Sequence, residues 1–262
     1  MKLGALLGLS AFLLLTLPLA AHESIDEPPR MPDGGTRTHV HGIQVFPAAG
    51  RPFSAKDNIK WTRNREDGST FTTYLFSTVA RDCQGRIYRE HRHLVPGSTY
   101  QQFVQEYFVL LDPIAHTRTA CTPNTRRCVV SVYRASTKFV PWPDRPHDDG
   151  TGYLSRESLG NDVIDDLNVV GTRETLSIAP GTVGNTQPLV AIREFWYSPD
   201  LQVNLSVTRV DPRTGTQVLQ LVDLSRREPD PAIFQVPDGF IIQDARIPAR
   251  NEKLSSPPAL KP

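Results

Sequence analysis

Between Val190 and Phe240 the alternation of apolar residues and the chemistry of the turns leave little room for anything but an antiparallel meander. Val203, Leu205 and Val207 alternate with Gln202, Asn204, Ser206 and Thr208, a period of two that marks a strand with one wet face. Val190–Tyr197 reads as the strand before it, and Ser198-Pro199-Asp200 as a short turn whose proline presets φ. Asp211-Pro212-Arg213-Thr214-Gly215 places proline at the second turn position and glycine where φ is positive, the pattern of a bulged hairpin. Gln217–Leu224 then returns as a third strand.

The same grammar extends toward the N-terminus. Ile59–Arg65, Thr70–Ala80 and Arg86–Leu94 read as strands joined by Glu66-Asp67-Gly68 and Asp82-Cys83-Gln84-Gly85, two turns that end in glycine. Phe71–Ser77 is rich in β-branched and aromatic residues. Phe103–Leu111, Thr117–Cys121 and Val129–Tyr133 follow, and the unbroken apolar run Tyr107–Leu111 predicts a strand buried on both faces. Glu157–Gly160, Val163–Val170 and Gly171–Ile178 resume the strand pattern, with Asn161-Asp162 and Asp165-Asp166 at turns. Glu228–Pro237 has a proline spacing that forbids helix, and its Ile233, Phe234 and Val236 are expected to plug the end of a sheet. The fold class is therefore mainly β.

The two ends read differently. Residues 1–21 have a secretory signal's charged start (Lys2), apolar run (Leu6–Leu19) and small-residue cleavage site at Leu19-Ala20-Ala21. Residues 22–38 are expected to be a disordered leader, 39–246 a single β-rich domain and 247–262 a disordered tail. Within the domain, 138–152 holds Pro141-Trp142-Pro143 and Pro146, a proline-rich loop or flap. No later stretch has the length to span a bilayer as a helix, so the expected location is periplasmic or secreted. Lysine and arginine total 29 against 28 acids, a net charge of +1, which gives nucleic acid no overall field to follow.

Three cysteines in an exported chain leave one over. Cys121 and Cys128 bracket a turn-rich loop between two strands, and symmetric pairing of those strands would set the sulfurs opposite each other as a disulfide. Cys83, at a hairpin tip, reads as an unpaired surface residue. His39-Val40-His41 and His91-Arg92-His93 have the spacing of metal ligands on one strand face, but the first lies near a terminus and the second among cations. Asp165-Asp166 lacks the surrounding oxygens of a calcium loop. No metal or cofactor is expected, and no nucleophile elbow, zinc helix motif or phosphate loop points to an enzyme.

Several stretches together resemble a family of exported, largely uncharacterised bacterial proteins of acidobacterial type. They are Pro52-Phe53-Ser54-Ala55, Ala80–Arg86 with Arg89-Glu90, Gly171-Thr172-Arg173, Ile178–Asn185, Trp196–Leu201 and Glu228–Pro237. More distantly, the run of strands ending in an aromatic strand, a meander and a closing Phe–x–Val–Pro segment is similar to the lipoprotein-carrier (LolA-like) half-barrel. That resemblance implies a strongly curved antiparallel sheet of successive hairpins around an apolar hollow that holds acyl chains. The chain has no long amphipathic helix to plug such a hollow.

Export, strand-borne aromatics and the absence of a catalytic constellation point to binding of an apolar ligand, a lipid or a lipidated partner. Trp142, Trp196, Tyr107 and Phe108 are the candidate contacts. The alternative is a structural or interaction module of the envelope that meets another envelope protein through Arg81, Arg86, Arg89 and Arg92 or through a sheet edge.

Overall fold

The computed structural model describes residues 42–65, 67–95, 102–135, 144–146 and 150–246. The chain divides into Met1–Val40 and His41–Pro262, and only the second unit holds described residues. The expected signal, leader and tail, with His39 and His41, lie outside them.

Thirteen strands make one open, curved sheet: β1 Phe53–Asn64, β2 Thr70–Arg81, β3 Ile87–Val95, β4 Gln102–Asp112, β5 Thr117–Thr122, β6 Arg127–Val132, β7 Arg145–Pro146, β8 Gly152–Ile164, β9 Leu167–Ile178, β10 Leu189–Ser198, β11 Val203–Asp211, β12 Gly215–Ser225 and β13 Ile241–Asp244. In space they run β13-β6-β5-β4-β3-β2-β1-β12-β11-β10-β9-β8-β7. Two meanders, β1 to β6 and β7 to β12, are thus joined where the first strand of one pairs with the last strand of the other. The pairings are antiparallel except at one edge, where β13 lies parallel to β6. A parallel neighbour needs a long crossover, and β13 is reached only after the whole second meander.

The hairpins form where turn chemistry and alternation agree. Asp165 and Asp166 sit at φ 50° and 59° in a two-residue turn between the paired residues Ile164 and Leu167, the left-handed geometry that matches strand twist. The segments expected as Glu157–Gly160 and Val163–Val170 belong instead to β8 and β9, because Asn161-Asp162 continues the ladder after a bulge beside Gly160. At the close of the proline-rich segment, Arg145 and Pro146 pair with Leu154 and Tyr153 and form the sheet's far edge, a position where proline leaves no central ladder bond unmade.

One face of the sheet, called here the core face, holds Phe53, Ala55, Asp57, Ile59 and Trp61 of β1, all buried, while Lys56 and Lys60 point the other way into solvent. Leu219 and Leu221 of β12, Val203, Leu205 and Val207 of β11 and Phe195 of β10 continue that face. Residues 42–49 cross it as a strap, with Ile43 and Val45 buried and Val45 bridging Val203.

Two buried ionisable groups fasten the strap. Asp57 accepts from the Ile43 N–H at 2.7 Å, and a Cβ on Gly42 would stand 2.2 Å from the same carboxylate oxygen, so only glycine fits there. Arg81, fully buried, donates to the carbonyls of Phe46, Arg51 and Leu201 and lies over the Phe53 ring. Burial lowers its pKa to about 10, so the guanidinium stays charged at neutral pH.

Candidate functional site

On the opposite face of β3 to β6 the residues build a small apolar chamber. Register places Glu90, Phe108, Cys121 and Cys128 in one row across four strands, so their side chains share a face. Cys121 and Cys128 are joined, Cα to Cα 4.0 Å apart, and both are buried. The disulfide forms floor beside Phe108, the cross-strand position the sequence predicts for it. Leu110 completes the buried cluster, and Tyr88, Val236 and Phe240 pack against it.

The roof is the proline-rich segment after β12. Asp230 accepts from the Ala232 N–H at 2.9 Å and starts a 3-10 turn, Pro231–Phe234. Phe234 is buried beneath the Arg86 guanidinium, and Phe240 meets Phe108 edge to face at 6.1 Å. Between floor and roof remains a pocket of about 240 Å³ lined chiefly by Tyr88, Gln105, Phe108, Pro123, Ile233 and Phe240.

Two of the lining residues, Tyr88 and Gln105, bond to Glu90, which is buried on the same face. The carboxylate accepts from Thr78 Oγ1 at 3.0 Å, Tyr88 Oη at 2.9 Å, Gln105 Nε2 at 3.5 Å and Arg92 Nε. Burial alone would push its pKa up, but the bonds from Arg92, Tyr88 and Thr78 outweigh burial and hold it below the usual range. Burial and the neighbouring Glu90 charge push the Tyr88 hydroxyl up in turn, so Tyr88 stays a neutral donor. The site offers an apolar wall, with Tyr88 and Gln105 held in place by the Glu90 carboxylate.

The three candidate contacts that lie among the described residues do not converge. Phe108 lines the pocket. Tyr107, its strand neighbour, points to the core face and stacks on His91, ring centroids 4.3 Å apart. Trp196 lies against Gly171, where a Cβ would fall 2.6 Å from the indole, and Trp142 lies outside the described residues. Tyr88 and Phe240 were missed, since nothing local couples a tyrosine on β3 to a phenylalanine more than a hundred residues later.

The arginines read as an outward patch are not one. Arg81 is fully buried, Arg89 is mostly buried and donates to the Ile43 carbonyl, Arg86 pairs with Asp82 at 2.6 Å, and Arg92 pairs with Glu90. Arg81 and Arg89 share the core face, Arg86 lies in the turn before β3 and Arg92 bonds Glu90, a separation that their sequence clustering conceals. Cys83 is exposed, and its thiol is pushed up in pKa by its bond to Glu228, the opposite of nucleophilic activation. Among the described residues no three metal-ligating side chains gather, and no helix is long and apolar enough to cross a membrane.

No known sequence family matches the chain, and no curated protein does. It is similar in structure to an uncharacterised conserved protein from Thermus thermophilus, with 11% identity, a TM-score of 0.41 and coverage of 74% of this chain and 91% of that one. A Vibrio parahaemolyticus domain assigned to outer membrane lipoprotein sorting gives 9% identity, a TM-score of 0.28 and coverage of 71% and 90%. The Mycobacterium tuberculosis lipoprotein LppX gives 11% identity, a TM-score of 0.28 and coverage of 67% and 88%. At such scores the description of the fold rests on this chain's own strand order and register.

Proposed function

We propose that this is an exported protein of the cell envelope that shelters an apolar group, an acyl chain of a lipid or of a lipidated partner, against its sheet. The observation that carries the reading is the pocket between the Phe108 floor and the Pro231–Phe240 roof. An apolar wall with a few convergent polar groups is the form that a site for a small apolar group takes. Its volume equals about eight water molecules at roughly 30 Å³ each, which suits the end of a chain rather than a whole lipid. The roof is not a strand of the sheet, so it can lift without breaking a ladder.

The test is a fluorescent hydrophobic probe titrated into the mature protein, with native mass spectrometry for retained lipid. Ile233→Trp, which fills the pocket from the roof, is expected to weaken probe binding about tenfold while the fold persists. Absence of both probe response and retained lipid in the wild type would overturn the proposal.

A second reading, an envelope interaction module, draws on the edge strand β13, where Ile241 and Ile242 stand in solvent. Crosslinking in cells that recovers only monomer would count against it.

A further inference from the structure

Where β1 begins and β12 ends, a cavity of about 620 Å³ opens between the end of the strap, the β10–β11 turn and the residues just past β12. Its lining is chiefly Gly50, Arg51, Pro52, Asp200, Leu201 and Arg226. Arg51 ties the strap to the turn, because its Nη1 donates to the carbonyls of Pro199, at 3.1 Å, and Asp200. Both bonds use the same nitrogen. The Nε and Nη2 donors of Arg51 have no hydrogen-bond acceptor among the described residues. Arg226 is exposed and pairs with no carboxylate among them.

A third guanidinium stands behind the wall. Arg81 is fully buried and donates to the backbone carbonyls of Arg51 and Leu201, two of the lining residues. A fully buried arginine ordinarily has an acid beside it. Arg81 has carbonyls only, and the charge of Arg51 adds to burial in lowering its pKa. Asp200 is the one carboxylate on the lining. Two further acids reach the Cys83 turn, whose carbonyl takes the Gly50 N–H, and both are engaged there. Glu228 accepts from the Cys83 N–H at 3.1 Å, and Asp82 pairs with Arg86 at 2.6 Å.

We propose that Arg51 and Arg226, backed by Arg81, bind a phosphate group in this cavity. Planar guanidinium forks match the paired oxygens of such a group, and its charge supplies the counter-ion that the buried Arg81 lacks. The cavity has more than twice the volume of the pocket under Phe240, which leaves room for an organic substituent on the phosphate. The substituent is a small soluble group or the rest of a lipid. The cavity shares no lining residue with the apolar pocket and is independent of it.

The experiment is isothermal titration calorimetry on the mature chain in chloride buffers of matched ionic strength, since salt screens exposed charge. The titrants are inorganic phosphate, glycerol 3-phosphate, phosphatidic acid vesicles and phosphatidylcholine vesicles. Saturable binding is expected for at least one of the first three and not for phosphatidylcholine. A response to either soluble phosphate identifies a free anion or a small ester, and one confined to phosphatidic acid identifies a lipid head; both support the site. Arg226→Gln, which breaks no bond of the fold, should raise Kd about tenfold or more, and Arg226→Lys should recover part of the loss. Asp200→Asn removes the opposing carboxylate but keeps the carbonyl that holds Arg51, and should lower Kd about threefold. Arg213→Gln, which removes a charge at the far end of the β11–β12 hairpin, should leave Kd unchanged. No saturable binding of any of the three phosphates, or equal affinity in wild type and Arg226→Gln, overturns the site. Hydrophobic-probe binding at Phe108 should be unchanged in Arg226→Gln, so the two readings fail separately.

Discussion

Asp57 occupies the apolar phase of β1, between Ala55 and Ile59, and is fully buried with one carboxylate oxygen lacking a hydrogen-bond partner among the described residues. Burial raises its pKa, and the attraction of Arg89 and the bond from Ile43 only partly offset that. A carboxyl whose pKa is higher folded than unfolded binds its proton more tightly in the folded state. Its stabilising contribution is therefore full below the unfolded value, near about 4, and is lost as pH rises through the folded value. Asp57→Asn keeps the shape and the acceptor for Ile43, so the wild type should lose stability relative to it over the pH range that begins near about 4 and runs upward. Paired thermal melts across that range check the sign, and a difference independent of pH would contradict it. The alternation of β1 shows that Asp57 falls on the buried side. Nothing local shows that the Gly42-Ile43 strap receives it, because the contact spans fourteen residues.

At the scale of the element, the β5–β6 hairpin was legible almost complete. Its turn residues, its strand patterns and its two cysteines lie within one short stretch, and Cys121 faces Cys128 in register. The cysteines close a sequence separation of seven, worth about 2 to 3 kcal/mol in the chain-entropy account. Replacing both by alanine should lower unfolding free energy by about that much in a denaturant titration, and should loosen the floor beneath Phe108. The closing segment was legible in part: proline spacing and Asp230 mark a 3-10 turn, and Phe234 is buried as a plug should be. Its meeting with Phe108 and Tyr88 was not, since β4 and the roof are joined only through the second meander.

The whole molecule depends on β1 pairing with β12, strands separated by most of the folded chain. Leu219 is fully buried at that seam, opposite Ile59. Leu219→Ala should cost about 2 to 5 kcal/mol. The seam joins the two meanders, so tryptophan fluorescence and far-ultraviolet circular dichroism should still report one coincident transition. Two separate transitions would mean that the meanders fold independently. Read by itself, the amino-acid order determined most of the strands and hairpin turns and the disulfide partners, because alternation and turn chemistry act over a few residues; it did not give β7 or β13, and it set a turn at Asn161-Asp162 where β8 continues. The tertiary structure alone decided the strand order, the parallel edge at β13, the burial of Arg81 and Glu90 and the pocket under Phe240. Each of these depends on register between strands that meet only once the chain has folded.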